Sequence, residues 1–115
     1  MKILVCGDRN WTDNRTIKSK LKQYYGATII TGGCYGVDSI AFSIAKELGL
    51  ENKVFPASWD EYGMSAGPIR NKLMLDQKPD LVIAFHSNIE ESKGTKNCIE
   101  QARKRGIVVE IITGL

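Results

Sequence analysis

Hydrophobic positions along the chain alternate between short continuous runs and helical periodicities. "KILVC" (Lys2–Cys6) is almost wholly apolar and rich in β formers, as in a strand buried on both faces. Thr12 and Asp13 are cap-type residues; after them Ile17, Leu21, Tyr24 and Tyr25 share one helical face, and Gly26 offers a stop. "ATIIT" (Ala27–Thr31) predicts a second strand. Val37, Ile40, Ala41, Ile44, Ala45 and Leu48 then recur at helical spacing and predict an amphipathic helix ending at Gly49. "KVFPA" (Lys53–Ala57) predicts a third strand, its proline marking an edge or an end. Ser58–Pro68 reads as a loop, with Pro68 opening a helix that carries Ile69, Leu73 and Met74. "DLVIAF" (Asp80–Phe85) is the fourth strand. A polar loop follows, then a helix capped by Thr95, lined by Cys98, Ile99 and Ala102 and stopped at Gly106, and "IVVEII" (Ile107–Ile112) is the fifth strand.

Strands alternating with helices predict right-handed crossovers and a parallel sheet covered on both faces. The expected fold is therefore α/β: a three-layer Rossmann-like domain over residues 1–115, with a mainly parallel five-stranded sheet. Ligands of such sheets bind at the carboxyl ends of the strands, where the strand order reverses. The strand-to-helix loops are the places to search.

Composition narrows the function classes. With 115 residues, 43% hydrophobic and 25% charged, the chain can bury a core of ordinary size. A net charge of +3 is too mild for bulk attraction to nucleic acid or a membrane surface, although a local basic patch is compatible with it. Nucleic acid is an unlikely partner on this count without being excluded. No apolar run approaches the roughly 20 residues of a membrane span. The N-terminus enters a strand pattern at once, so a cytoplasmic location is expected, or the host cytoplasm for a viral protein. Cys6, Cys34 and Cys98 are odd in number and form no C-x-x-C pair, which argues against a disulfide framework or a structural zinc site. No metal or cofactor is expected.

Four loops should emerge on the ligand edge. In "GGCYG", Gly32, Gly33 and Gly36 permit positive φ and close approach to a backbone, and the helix that follows presents unpaired N–H groups to an anion. The same glycines also suit plain packing of helix against strand. The turn is neither a dinucleotide fingerprint nor a P-loop, because its spacing is G-G-x-x-G and no G-K-[ST] follows. "SKGT" puts Gly94 and Thr95 at a second helix start, again as an anion site or a simple cap. Arg70 and Asn71 open the helix after the third strand, and Arg70, like Arg9 in the first loop, offers a fork of donors to phosphate or carboxylate. Trp11 and Trp59 can stack on a base or cover the end of the core. A catalytic cysteine at Cys34 or Cys98 would need a base, and His86 is the one histidine in the chain.

Four stretches together, "VCGDRNWTD", "IITGGCYGVDSIA", "FPASWDEYGMSAGPIRNKLML" and "KGTKNCIEQARKRGIVV", resemble the YspA/YpsA-related branch of the SLOG superfamily. That superfamily also holds the Lonely guy phosphoribohydrolases and the DNA-processing protein A family. The resemblance runs over nearly the whole chain. It implies a domain that binds or senses a nucleotide or nucleotide-derived ligand at the strand-end edge, and a homodimer built through helices flanking the site. Gly7 and Asp38, within two of these motifs, join Arg9, Trp11, the three turn glycines, Arg70, Asn71, Gly94 and Thr95 as expected ligand contacts.

The hydrolases of the superfamily pair an Arg-x-x-x-Met helix with a P-G-G-x-G-T-x-x-E loop. Arg70 and Met74 match the first, and Gly94 and Thr95 match part of the second. Glu90, Glu91 and Ser92 stand in place of P-G-G, and Asn97 and Cys98 stand where the catalytic carboxylate would fall. Glu100 is close but out of register; two further helical residues turn a side chain through about 200°. Hydrolysis of a nucleoside 5′-monophosphate at its N-glycosidic bond would need Arg70 with Glu90, Glu91 or Glu100 as a displaced carboxylate. Binding without turnover and single-stranded nucleic-acid binding are the competing readings.

Overall fold

A computed structural model describes residues 1–114. Its five strands are β1 (Lys2–Gly7), β2 (Thr28–Thr31), β3 (Glu51–Val54), β4 (Leu81–Phe85) and β5 (Val108–Ile112). They pair in parallel in the order β3-β2-β1-β4-β5, with Leu4 opposite both Ile30 and Val82. The helices are α1 (Asn14–Leu21), α2 (Val37–Glu47), α3 (Trp59–Tyr62), α4 (Ala66–Leu75) and α5 (Lys93–Lys104). The expected α/β architecture is thus the observed one.

Strand side chains point alternately to the two faces, and this divides the core. Ile3, Val5, Ile29, Ile83 and Phe85 pack under α1 and α2 through Ile17, Leu21, Val37, Ala41 and Ile44. Leu4, Cys6, Ile30, Val82 and Ala84 pack under α4 and α5 through Met74, Leu75, Cys98, Ile99 and Ala102. Burial on both faces is why β1 and β4 read as continuous apolar runs.

Four boundaries differ from the sequence expectation. Helix α1 ends at Leu21, because the chain must turn back for Thr28 to donate to the Met1 carbonyl beside β1 (2.9 Å). Tyr24 still packs on the core from that turn, but Tyr25 is 99% exposed. Strand β3 lies earlier than Lys53–Ala57, in register with β2 from Thr28–Glu51 to Thr31–Val54. The Phe55 N–H makes the last link, to the Thr31 carbonyl, and Pro56 has no N–H to continue. The stretch after it forms α3 and a 3₁₀ turn (Gly63–Ser65) before α4 begins at Ala66, so Pro68 is that helix's third residue. A proline is tolerated there because first-turn N–H groups have no intrahelical partner. Finally, Ser92 rather than Thr95 caps α5; its hydroxyl accepts the Thr95 N–H.

The chain lays down β1, β2 and β3 in one direction with helices on one face. It then crosses to β4 and β5 with helices on the other. The loops leaving β1 and β4 therefore diverge to opposite faces, and a crevice opens between them.

Candidate functional site

A cleft of about 490 Å³ occupies that crevice. One wall is the β1 loop, from Gly7 to Asn10. Cys34 and Asp38 come from the β2–α2 turn. Trp59, Gly67, Arg70, Asn71 and Met74 supply α3 and α4, and the far side runs from His86 and Ser87 to Glu91–Thr95 at the start of α5.

The "GGCYG" turn is closed from within. One oxygen of Asp38, Oδ2, accepts the N–H of Gly32 at 3.1 Å and of Cys34 at 3.2 Å. The first N–H of α2, at Val37, goes to the Asp8 carbonyl at 3.1 Å. The Gly32 and Cys34 N–H groups of the turn are thus already taken by the chain's own carboxylate, and the first N–H of α2 by a backbone carbonyl. Asp38 is only 7% exposed. Burial pushes its pKa up to about 6, against the lowering pull of the two N–H groups and of the nearby Arg70 charge.

Arg70 bridges this turn to the opposite layer. Its Nη1 donates to the Gly32 carbonyl at 2.8 Å, with the Cys34 Sγ 3.7 Å away, and its Nε donates to Asn71 Oδ1 at 3.0 Å. Buried Asn71 passes the connection on: its Nδ2 donates to the Gly94 carbonyl at 3.2 Å and to Asn97 Oδ1 at 3.1 Å. Gln101 donates to the same Asn97 oxygen at 2.7 Å and to the Pro68 carbonyl at 3.2 Å. One amide-and-guanidinium chain therefore ties the β2–α2 turn, α4 and α5 together along the cleft.

The start of α5 is the open counterpart. Ser92 satisfies Thr95, which leaves the Lys93 and Gly94 N–H groups without an intrahelical partner. A Cβ added at Gly94 would meet nothing within 4 Å, so the backbone there faces open space. Arg9 and Lys93 line the same cleft.

A model of the YspA, cpYpsA-related SLOG family (YAcAr) matches residues 1–62. The gene 61 protein of Mycobacterium phage D29 is 31% identical over 118 residues, covering 94% of this chain and 93% of that protein. The chain belongs to the YAcAr family. DNA processing protein A (DprA) of Streptococcus pneumoniae superposes on 99% of the chain with a TM-score of 0.82 at 18% identity, a likeness of fold. The YAcAr chain spans about 50% of that protein's length.

The YAcAr cleft sorts the candidate residues. Gly7, Arg9, Asp38, Arg70, Asn71, Gly94 and Thr95 line it. Gly32 does not: it is buried under the Arg70 guanidinium, which occupies the space a Cβ would need. Gly33 faces Val54 and Pro56 instead, and Gly36 is pressed against the backbone of Asp8 and Arg9. These three glycines shape the turn rather than the cleft wall. Trp11 is also corrected. It is 9% exposed, packs edge-on against Phe85 at 5.8 Å, and donates its indole N–H to the Asp13 carbonyl at 2.8 Å. Its apolar body is covered by the α1–α2 core, and it is absent from the cleft wall.

The carboxylate candidates separate in the same way. Glu100 is exposed on α5 and absent from the cleft wall, and Glu90 is paired with Lys96 at 2.9 Å. Glu91 is in the wall. Asn97, in the register of the hydrolase carboxylate, spends its oxygen on Asn71 and Gln101. His86 lines the cleft with Nδ1 accepting the Asn88 N–H at 2.9 Å, which leaves the ring proton on Nε2. Cys98 is buried, and the Cys6 thiol, hydrogen-bonded to it and desolvated, is held well above its ordinary pKa and stays neutral. Sequence reasoning missed Gln101, the bracing role of Asn97 and the closing role of Asp38, because each is defined by hydrogen-bond partners that only the folded chain brings within reach.

Proposed function

We propose that the cleft binds a nucleotide or nucleotide-derived ligand, with its phosphate at the α5 start among Arg9, Lys93 and the free N–H groups of Lys93 and Gly94. The observation that carries this reading is that pair of helix-start N–H donors without an intrahelical partner, on residues that line a switch-point cleft together with Arg9. Membership of a SLOG family supports it. Arg70 has a second role here: its Nε and Nη1 are engaged on Asn71 and Gly32, so it shapes the site, while Nη2, which makes no hydrogen bond among the described residues, adds donors and positive field to it. Calorimetry of AMP against adenosine is the test. AMP binding that exceeds adenosine binding, and that weakens about ten- to hundred-fold in Lys93→Ala, is expected for a charge-assisted phosphate contact. Equal binding of the two, or none, would refute the phosphate site.

Glu91 favours a second reading, slow N-glycosidic hydrolysis, because it brings a carboxylate into the cleft wall. Developing positive charge on the ribose and delivery of water both call for such a group. With Asn97 in the usual register, base release from AMP, GMP, CMP and UMP is expected below about 1 s⁻¹. Faster turnover that is lost in Glu91→Gln would establish the enzyme. The proposed assembly is a homodimer through helices flanking the cleft, for which light scattering at micromolar concentration should give twice the monomer mass. No helix among the described residues is long and apolar enough to cross a membrane.

A further inference from the structure

The two tryptophans are in opposite situations. Trp11 is core, whereas Trp59 lines the cleft with 53% of its surface exposed. A large apolar ring left half in water beside a polar cleft is the informative kind of exposure. Its seat is defined: the far edge of the indole rests over Gly67 in the first turn of α4, where a Cβ would stand 3.6 Å from it. No other Trp, Tyr or Phe is in the cleft wall among the described residues. The same wall carries Arg9 from the β1 loop and Lys93 and Gly94 from the α5 start. A volume of about 490 Å³ lies within the roughly 300–1,000 Å³ of small-molecule sites.

We infer that Trp59 is the base platform of the cleft: it stacks on the nucleobase of a mononucleotide whose phosphate sits at the α5 start. The inference rests on the phosphate reading above and adds the part of the ligand that reading leaves open. An indole accepts any base by its π face, so Trp59 supplies affinity for a base and discriminates little among bases. A single platform fits one base; single-strand binders stack successive bases on several aromatics.

The experiment uses the whole chain, with ribose 5-phosphate, AMP, GMP, CMP and a short oligothymidylate as probes. Because Trp11 is packed against Phe85 and shielded, ligand-dependent quenching of indole fluorescence reports Trp59. AMP, GMP and CMP should quench and bind about five- to 150-fold more tightly than ribose 5-phosphate, the range for one stacked base. Trp59→Ala should reduce AMP to the affinity of ribose 5-phosphate and leave ribose 5-phosphate unchanged. Trp59→Phe, which keeps a ring, should retain most of the difference, and the quenching should vanish in both variants. If AMP and ribose 5-phosphate bind alike, or folded Trp59→Ala keeps the difference, the platform is wrong and the phosphate site stands. If none of the probes binds, both fall. Tighter, steeply salt-dependent binding of the oligothymidylate would overturn the one-base platform in favour of a strand-binding surface.

Discussion

Asp38→Asn replaces the carboxyl that closes the glycine turn with a neutral isostere of the same shape. Both turn hydrogen bonds converge on one oxygen, so an amide oxygen can keep the Gly32 and Cys34 N–H groups satisfied. What the variant removes is a buried charge. The rise of the Asp38 pKa from 3.8 to about 6 corresponds to about 3 kcal/mol against ionisation, net of the attraction to Arg70. The folded chain holds this proton up to about pH 6 and the unfolded chain only to about 3.8, so stability falls as pH rises between the two. The contribution is fully present below pH 3.8 and lost above 6. Asp38→Asn should therefore match the parent near pH 4 and exceed it by up to about 3 kcal/mol at pH 7. Asp38→Ala, which leaves both N–H groups without an acceptor, should fall about 1–3 kcal/mol below Asp38→Asn at every pH. Urea unfolding followed by the fluorescence of buried Trp11, from pH 4 to 7.5, measures all three. An Asp38→Asn protein less stable than its parent at pH 7, or a gap that does not change with pH, would refute the claim that ionised Asp38 is held at a cost.

Gly36→Ala should lower stability by about 2–5 kcal/mol, because a Cβ there meets the Asp8 and Arg9 backbone at a φ of 72°. Gly26→Ala, at φ 77° but in open space, should cost only about 1 kcal/mol, and equal urea midpoints would count against the packing argument. Arg70→Lys should lose about 1–3 kcal/mol in the same assay, since one ammonium cannot reach both the Gly32 carbonyl and Asn71 Oδ1 in the guanidinium's geometry. Parental stability in that variant would show that the bridge does not brace the cleft.

Much of this protein is written locally in its sequence. The continuous apolar runs of β1 and β4 and the helical repeat from Val37 to Leu48 reflect which faces are buried, and burial is periodic within an element, so it can be read from the chain. The alternation of strands and helices, with the handedness of crossovers, then requires a parallel sheet and puts the four loops on one edge. Tertiary structure decided what those loops do. Two tryptophans in loops of similar composition part company because only Trp11 has Phe85 and the α1–α2 core within reach. In "GGCYG" two of the N–H groups that look available to an anion, those of Gly32 and Cys34, are taken because Asp38 turns back onto them. Three glutamates near α5 look equivalent in sequence, yet a 3₁₀ turn over Ile89–Glu91 brings only Glu91 to the cleft wall. Asn71, Asn97 and Gln101 form a brace because α4 and α5 lie side by side on one face of the sheet. A side chain's hydrogen-bond partner or cover comes from elements far away in the chain, so its role is settled only when the sheet brings those elements together.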